Sequence, residues 1–310
     1  MQNEVKFLSL IWGCAFATNV FATDQAEKTF RIAGYLPEYR VDTIGPDQVL
    51  GLTDLIVFSV QPTPNGSLAN NAWPQKRMAK ARELSTKAKV PLLLAVGGWG
   101  RSTGFAAMTA NDRSRQRFVK ELSSFCQTNQ FKGVVYDWEF PRNAKEDEDC
   151  GALFRDTKRL FGPKGWSVEC AINPARPLPQ SWLVHLDAIH VMSYDNVPRH
   201  ATYAQSAMDL DAMAKLKAPA NKLLLGLPFY GRQMTNRNNA LTYADIKQRF
   251  RPANHQDEAS GFFFNGPATI TKKVKLAKER KLGGVMIWEV GQDTTGKDSL
   301  LKKVVSATRD

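Results

Sequence analysis

Two carboxylates separated by one residue stand at the end of the stretch FKGVVYDWEFP, residues 131–141. Small and apolar residues lead into Asp137 and Glu139, and Pro141 follows them closely. Such a run is typical of a buried β-strand, in which alternate side chains share one face, so Val135 would point the same way as both acids. Mutual repulsion and burial favour the protonated form of a carboxyl group. Glu139 therefore has the properties expected of a general acid.

A structural role is the alternative for this pair of carboxylates. A strand that ends near the surface can carry acids that are simply paired with Arg or Lys, and Arg142 is a nearby partner in the sequence. The choice between catalysis and an ion pair therefore depends on which other residues the fold brings to the same place.

Short apolar runs alternate with amphipathic stretches along the whole chain. They are FRIAGYL near 30, LTDLIVFSV near 52, VPLLLAVGG near 90, FKGVVYDWEF near 131, WSVECAIN near 166, LDAIHVMSYD near 186, NKLLLGLPFYG near 221 and LGGVMIWEV near 282. Apolar runs of this kind, separated by helices, are typical of a parallel sheet that is buried on both faces. Eight such units predict a (β/α)8 TIM barrel of the α/β class, and an open doubly wound sheet is the alternative.

Polar and aromatic side chains cluster at the carboxyl ends of these runs. They are Tyr35, Glu38, Trp99, Asp137, Glu139, Tyr194, Asp195, Tyr230, Arg232, Trp288 and Glu289. A barrel gathers all its strand ends around one mouth, whereas an open sheet spreads them along a line, so this clustering favours the barrel. We expect one site at that mouth, with Tyr35 among the residues that contact a substrate.

Several motifs in the same order resemble those of family 18 glycoside hydrolases, the chitinases and their relatives, over nearly the whole mature chain. The family's fourth-strand pattern D-G-x-D-x-D-x-E falls on residues 132–139, and its third-strand pattern S-x-G-G-x-x-x-S falls on residues 95–102. MSYD at 192–195, GLPFYGR at 226–232 and GGVMIWE at 283–289 resemble the sixth, seventh and eighth strands. The resemblance implies hydrolysis of β-1,4-linked N-acetylglucosamine glycans, chitin or chitooligosaccharides.

The resemblance also implies roles for individual residues. Glu139 would be the acid and base, and Asp137 would orient the 2-acetamido group of the substrate with the help of Tyr194 and Asp195. The implied substrate-binding residues are Trp99 as a stacking platform on the leaving-group side, Trp288 as the aromatic floor under the sugar, and Tyr230 and Arg232 in the lining of the cleft. The acetamido oxygen would be the nucleophile, so the implied mechanism is retaining and needs no cofactor and no metal.

The chain departs from the family pattern at Lys132, Val135 and Ala95. The departure at Val135 matters most, because the family carries there a carboxylate that interacts with the Asp above it. A non-catalytic glycan-binding protein of the same fold is therefore the alternative function, although the presence of Glu139 favours catalysis.

The sequence motifs for a serine nucleophile, a zinc site or a disulfide are weaker. GRSTG at 100–104 matches the G-x-S-x-G turn of serine hydrolases, but GGW separates it from the preceding apolar run, which disfavours Ser102 as a nucleophile. The histidines lack the spacing of a zinc motif; they are His185, His190, His200 and His255. After a signal peptide is removed, three cysteines remain, which allow at most one disulfide and which we expect to be thiols: Cys126, Cys150 and Cys170.

Composition and charge indicate the number of domains and the kinds of partner that the protein can bind. The 310 residues contain 43% hydrophobic residues and no linker or internal repeat, so one domain is predicted. The interval of roughly 50 residues between the seventh and eighth runs is too short for the extra α+β domain that some family members insert there. The net charge of +12 is spread over helical stretches without interleaved aromatic residues, so no nucleic-acid partner is expected. We expect a monomer whose partner is an oligosaccharide or polysaccharide containing N-acetylglucosamine.

The amino-terminal residues 1–22 predict a secretory signal peptide. Lys6 precedes an apolar stretch that ends in Val20-Phe21-Ala22, and cleavage after Ala22 would leave a mature domain over residues 23–310. The stretch is too short and too polar for a membrane span. We expect a secreted or periplasmic protein, and a lipoprotein anchored at Cys14 is the alternative.

Overall fold

Eight parallel strands close into a barrel in the computed structural model, which describes residues 29–69 and 73–309 together with Met1. The barrel strands are β1 (Arg31–Pro37), β2 (Asp54–Pro62), β4 (Leu92–Gly97), β5 (Gly133–Asp137), β6 (Ser167–Ile172), β7 (Ala188–Val191), β8 (Leu223–Pro228) and β13 (Gly284–Trp288). Strand β1 pairs in parallel with both β2 and β13, which closes the sheet. The predicted (β/α)8 barrel is confirmed, and each of the eight predicted runs forms one of its strands.

Helices surround the barrel and return the chain from one strand to the next. They are α1 (Gln75–Ala88), α2 (Phe105–Thr109), α3 (Asp112–Asn129), α4 (Ala144–Phe161), α5 (Gln180–Leu183), α6 (Tyr203–Lys215), α7 (Tyr243–Phe250), α8 (Pro267–Glu279) and α9 (Leu300–Arg309). Side-chain caps fix the residues at which the two longest helices, α3 and α4, begin. The side chains of Asn111 and Asn143 accept hydrogen bonds from backbone N–H groups in the first turns of α3 and α4.

Apolar side chains of the barrel strands form two separate clusters, one between the barrel and the helices and one in the lumen. Alternation along β5 explains the division, because Tyr136 packs outward against Phe105 while Val135 belongs to the lumen. The lumen cluster consists of Ala33, Tyr35, Ile56, Phe58, Leu93, Ala95, Val135, Ala188, Leu224 and Met286. Val135 therefore points inward, on the face that the sequence assigned to Asp137 and Glu139.

A small antiparallel sheet lies between β8 and α8. It consists of β9 (Tyr230–Gln233), β10 (Asn236–Thr242), β11 (Glu258–Ala259) and β12 (Phe262–Phe263), and helix α7 lies in the same segment. One further short strand, β3 (Leu68–Ala69), pairs with the end of β2. The sequence analysis did not predict these strands, because most are very short and the exposed polar run of β10 lacks the alternation of a half-buried strand.

The predicted signal segment, including Cys14, lies outside the described residues apart from Met1. In the described part of the chain, Cys126, Cys150 and Cys170 are buried free thiols, as the sequence predicted. Within residues 29–69 and 73–309, no helix has both the length and the apolar character needed to cross a membrane.

Candidate active site

Strand β5 ends at Asp137, whose side chain is buried at the mouth of the barrel. The residue is 4% exposed, and its Oδ1 atom has no hydrogen-bond partner among the described residues. Burial raises the pKa of Asp137 well above its ordinary value, and the nearby charge of Glu139 raises it further. Asp137 therefore keeps a hydrogen-bonding position that none of the described residues uses.

Glu139 follows two residues later and is half-buried. Burial raises the pKa of Glu139 to about 7 and the charge of Asp195 adds to the rise, whereas a hydrogen bond from the backbone N–H of Trp99 opposes it. A carboxyl group with a pKa near neutrality can both donate and take up a proton under the same conditions. These are the properties of a group that serves as an acid and as a base.

Ser102 fixes the backbone from which Glu139 emerges. Its Oγ accepts a hydrogen bond from the N–H of Glu139 at 3.0 Å, and it can donate to the carbonyl of Gly98 at 3.1 Å or that of Asp137 at 3.2 Å. The N–H of Gly98 also donates to the carbonyl of Asp137, at 2.7 Å. Among the described residues, Ser102 bonds only to backbone groups. It therefore positions the loop, and the geometry gives no support to a serine nucleophile.

The close approach of this loop requires glycine at position 98. The φ angle of Gly98 is +106°, and a Cβ atom there would lie 2.2 Å from the ring of Phe58. Gly97 has a φ angle of +98°, and a Cβ atom there would lie 2.5 Å from the carbonyl oxygen of Asp137. The two glycines of the third-strand motif thus let the chain at the end of β4 pack directly on Phe58 of β2 and on the end of β5.

Asp195 is held in its ionised form by a group of donors at the mouth. The hydroxyl of Tyr230 donates to Oδ1 at 2.7 Å, and Arg232 donates to both carboxylate oxygens, with Nη2 at 2.8 Å from Oδ2. Although burial opposes it, the nearby His200 and the hydrogen bonds from Arg232 and Tyr230 hold the pKa of Asp195 well below its usual range. The structure thus brings Asp195, Tyr230 and Arg232 together, three residues that the sequence placed in one cleft.

Three aromatic rings pack against one another in edge-to-face or tilted arrangements at the top of the lumen. The ring centroid of Trp288 lies 4.7 Å from that of Phe58 and 5.5 Å from that of Tyr35. Tyr35 is 2% exposed, so it supports Trp288 from below and does not face the open cleft. Trp288 itself is half-buried and presents an aromatic surface to the mouth.

The other two predicted aromatic residues differ in exposure. Trp99 is 80% exposed on the loop after β4, which is unusual for so large an apolar side chain and fits a stacking platform. Tyr194 is half-buried after β7, and its hydroxyl lies 3.9 Å from the sulfur of Met286. The contact with Met286, a residue of the lumen cluster, puts this hydroxyl at the lumen end of the site. Burial raises the pKa of Tyr194, and Tyr230, Tyr35 and then the charge of Asp137 raise it further.

Sequence reasoning missed a chain of polar residues inside the lumen. The hydroxyl of Tyr35 lies 2.9 Å from Nδ1 of His190, and Nε2 of His190 lies 2.8 Å from Glu169. Glu169 also pairs with Arg31 at 3.1 Å, and Arg31 pairs with Asp54 at 3.0 Å. Although burial opposes it, the charge of Arg31 and the bond to His190 lower the pKa of Glu169 to about 2.

His200 was also missed as part of the site. It packs on the ring of Tyr230 with centroids 4.9 Å apart, and its Nδ1 atom lies 3.7 Å from Asp195. No motif could have shown this contact, because the loop after β7 folds back to make it. Throughout the described ranges, including this site, no three His, Cys, Asp or Glu side chains form a group that could hold a metal ion.

Val135→Asp is expected to destabilise the protein and to make its stability depend on pH. Val135 is fully buried between its strand partners Ala95 and Glu169, so a carboxyl group there would lie beside one acid and beneath Asp137. We expect a loss of about 1 to 3 kcal/mol in the free energy of unfolding, measured by urea titration. The buried carboxyl group would keep its proton in the folded state, so the loss should grow as pH rises through the unfolded pKa of Asp.

Val135→Thr is the matched control, because it replaces a methyl group by a hydroxyl group of similar size, which is polar but does not ionise. Its loss of stability should be smaller and should not vary with pH. An unfolding midpoint of Val135→Asp that equals that of wild type at every pH would show that position 135 does not lie in the lumen beneath Asp137.

The mouth therefore combines an acid that can hold and release a proton, a buried carboxyl group with an unused oxygen, an ionised carboxylate and an aromatic surface. Such a set can protonate a leaving oxygen while it fixes a polar substituent of a ring-shaped ligand.

Comparison with known proteins connects this arrangement to a family. The family model described as Glycosyl hydrolases family 18 matches residues 31–293. The chain is 27% identical over 268 residues to "Probable chitinase 2" of Drosophila melanogaster, which covers 64% of this chain and 55% of that protein. The chain thus spans about half the length of this relative.

Solved structures share the fold. The GH18 chitinase ChiB of Flavobacterium johnsoniae superposes with a TM-score of 0.81 at 23% identity and covers 91% of this chain and 94% of that one. A mutant class V chitinase from Nicotiana tobaccum, solved in complex with NAG4, gives a TM-score of 0.77 at 20% identity, with 90% and 98% of the two chains covered.

Proposed function

Because the chain belongs to family 18 of the glycosyl hydrolases, we propose that it hydrolyses β-1,4-linked N-acetylglucosamine glycans, chitin or chitooligosaccharides. The observation that carries the proposal is the pair at the end of β5, in which Glu139 has a pKa of about 7 and Asp137 has a buried oxygen without a partner. The substrate class is supported by the name of the fly relative and by the NAG4 complex of the tobacco chitinase.

The first half of the proposed reaction breaks the glycosidic bond. Glu139 gives its proton to the glycosidic oxygen, and the leaving sugar departs as an alcohol. The 2-acetamido oxygen of the substrate forms a bond to the anomeric carbon on the opposite face, which produces an oxazolinium ion. The nucleophile belongs to the bound sugar itself, so no second molecule must be positioned for this step.

The second half restores the enzyme. Glu139, now a carboxylate, takes a proton from a water molecule as the oxygen of that water attacks the anomeric carbon. The bond between this carbon and the acetamido oxygen breaks, and the product keeps its original anomeric configuration. Glu139 ends the cycle protonated, as it began.

Asp137 is proposed to hold the acetamido group in place for both steps. Its unpartnered oxygen can accept the N–H of that group, which aims the acetamido oxygen at the anomeric carbon. Tyr194 and Asp195 are proposed to complete the pocket. Asp195 also acts on Glu139 through space, because its fixed negative charge helps to keep the proton on the acid.

The sugar rings are proposed to stack on exposed aromatic surfaces. Trp288 would form the floor under the sugar at the cleavage point, and Trp99 would form a platform on the leaving-group side. Tyr230 and Arg232 would line the cleft and at the same time hold Asp195 in position. Tyr35 would act from behind Trp288, since it is buried.

A glycan-binding protein without catalysis is the second candidate. The apolar floor beneath Asp137, formed by Val135 and Ala95, favours it, because the family pattern places polar groups at both positions. Binding of chitotetraose without release of shorter sugars would decide for this candidate.

Hydrolysis of chitotetraose is the test of the proposed function, with products read by mass. We expect kcat/KM to fall as pH rises through about 7, because the free enzyme must hold the proton on Glu139 that the leaving oxygen receives. Activity that continues to rise above this pH would contradict the assignment of Glu139 as the acid.

The proposal includes export as a mature domain of residues 23–310, acting as a monomer outside the cytoplasm. The support for export is the amino-terminal sequence alone. Amino-terminal sequencing of the exported protein would distinguish cleavage after Ala22 from lipid attachment at Cys14.

A further inference from the structure

Two of the carboxylates that the sequence placed at the mouth, Glu38 and Glu289, have no part in the proposed reaction. Each pairs with an arginine instead. Glu289 is fully buried and lies 2.9 Å from Nε of Arg40. Glu38 pairs with Arg101, whose two terminal nitrogens each contact one carboxylate oxygen, with Nη1 at 3.1 Å from Oε2. The pair of Glu38 and Arg101 joins the loop after β1 to the loop after β4, which carries Trp99.

Trp99 stands at the tip of a β-turn. The N–H of Arg101 donates to the carbonyl of Gly98 at 2.9 Å, which leaves Trp99 and Gly100 at the two central positions of the turn. Gly100 has a φ angle of +73°, and a Cβ atom there would have no neighbour within 4 Å among the described residues. Trp99 itself is 80% exposed, so it has little packing of its own. The place of its indole must therefore be set at the two ends of the turn.

The loop after β4 is held from both sides. Strand β4 lies between β5 and β2, and the hydroxyl of Ser102 bonds to the backbone at the end of β5. Arg101 reaches the other side, where its Nη1 lies 3.3 Å from Oγ of Ser59 on β2. That hydroxyl in turn donates to the carbonyl of Gly97 at 2.6 Å. The guanidinium of Arg101 also lies over the ring of Phe58, 5.5 Å from its centroid.

The ring of Phe58 supports the floor of the cleft as well, since its centroid lies 4.7 Å from that of Trp288. The far end of the ion pair is fixed to the same residue, because the N–H of Glu38 donates to the carbonyl of Phe58 at 3.2 Å. The side chains of Arg101 and Glu38 are only 22% and 12% exposed, so their charge-assisted hydrogen bonds are largely shielded from water. Arg101 thus connects the turn that carries Trp99 to the residue on which Trp288 packs.

We propose that Arg101 is a positioning residue of the cleft, which through its ion pair with Glu38 and its contact with Phe58 holds Trp99 at a fixed distance from Trp288. Both indoles can then stack on sugars of the same glycan chain. This inference rests on the proposed function for the identity of the ligand. Arg101 acts through Trp99, and the proposal assigns it no contact with the glycan.

Loss of Arg101 should separate binding from chemistry. Ser102 keeps its bond to the backbone of Glu139, so the acid stays in place. The dissociation constant and KM for chitotetraose should rise about three- to tenfold, which is the range that one aromatic stacking contact covers. By contrast, kcat and its pH dependence should stay within about twofold of wild type, as expected when only uniform binding is lost.

The first measurement needs no ligand. In protein labelled with ¹⁵N-tryptophan, the backbone amide signal of Trp99 is assigned by its loss in Trp99→Ala, and its order parameter is obtained from NMR relaxation. We expect about 0.85 in wild type, as for rigid backbone, and less than about 0.6 in Arg101→Met. Glu38→Gln removes only the charge of the partner and should lower the order parameter in the same direction. Arg117→Met, which breaks the exposed pair of Arg117 and Glu121 on α3, is the matched control and should leave the order parameter unchanged.

The second measurement is a double-mutant cycle with chitotetraose, read by calorimetry in proteins that also carry Glu139→Gln, so that the ligand stays intact. Arg101→Met should weaken binding about three- to tenfold when Trp99 is present. In the Trp99→Ala background the same change should weaken binding less than about twofold, because the side chain through which Arg101 acts is gone. A general loss of structure would weaken binding in both backgrounds.

Two results would overturn the inference. One is an order parameter of Trp99 that is unchanged in Arg101→Met or, if that variant does not fold, in Glu38→Gln. The other is equal weakening of binding by Arg101→Met with and without Trp99. Failure of the proposed function looks different: the wild type would then neither bind nor cleave chitotetraose, while the order parameter would still decide whether Arg101 holds the turn.

Discussion

Glu139→Gln is expected to bind chitotetraose as the wild type does and to hydrolyse it about 10² to 10⁴ times more slowly. The amide is nearly the same size and shape as the carboxyl group, so the bond between its backbone N–H and Ser102 and the surrounding fold should remain. It cannot give a proton to the leaving oxygen, and it cannot take one from water in the second step. The loss should therefore appear in kcat and leave the dissociation constant, measured by calorimetry, within a few fold of wild type.

Glu148→Gln is the matched control for this variant. Glu148 is an exposed carboxylate on α4, a short distance along the chain from the site, and its replacement removes the same charge without touching the mouth. It should leave turnover within a factor of about three, as expected for a surface substitution. Turnover within tenfold of wild type in a folded Glu139→Gln protein would remove Glu139 from the role of acid.

The barrel could be predicted from the sequence because a strand buried on both faces must be apolar at nearly every position. LLLAVG of β4 and LLLGLP of β8 are of this kind, and both are buried along their whole length. The same rule could not find the small sheet after β8. There the strands of β11 and β12 have two residues each, and β10 carries polar side chains on both faces.

The mouth residues were predictable because they stand at or just after the carboxyl ends of barrel strands, which the fold gathers around one mouth. The spacing of Asp137 and Glu139 on one strand needs no tertiary information. Asp195 follows β7 and Arg232 lies on β9, directly after β8. Chain order in a barrel makes β7 and β8 neighbours, so the sequence could place these two residues in the same cleft, although it did not show β9 itself.

The buried polar contacts in the lumen beneath the mouth could not be predicted in the same way. The hydrogen bond between Tyr35 and His190 joins residues 155 positions apart, across the lumen. Whether the two meet depends on the tilt and register of the strands between them, and neither residue stands in a motif. The burial of Tyr35 has the same origin, because Trp288 covers it from above.

The acetamido group of the substrate is expected to decide whether any hydrolysis occurs. A retaining glycosidase that does not use the substrate needs a free carboxylate as nucleophile. In this site Asp137 is buried with a strongly raised pKa, which favours its uncharged form. Both oxygens of Asp195 already accept hydrogen bonds, from Tyr230 and Arg232 on one and from Arg232 on the other. Neither Asp137 nor Asp195 is therefore ready to form a covalent intermediate.

Cellotetraose, which has hydroxyl groups in place of the acetamido groups, should therefore bind by stacking on Trp99 and Trp288 but should not be cleaved. Loss of a well-oriented intramolecular nucleophile is worth a factor of about 10⁵ or more, so no product should be detectable by mass under conditions that exhaust chitotetraose. The fully deacetylated tetramer of glucosamine is the control, because it keeps the nitrogen at C2 and lacks only the acetyl group. It should be equally inert, because an amine supplies no carbonyl oxygen.

A thiazoline analogue of the oxazolinium ion should inhibit competitively, since it has the shape that Asp137 and Tyr194 are proposed to hold. Cleavage of cellotetraose at a rate comparable to that of chitotetraose would show that the acetamido group is not the nucleophile, and Asp137 and Asp195 would then have to be reconsidered as a nucleophile or as a base that activates water.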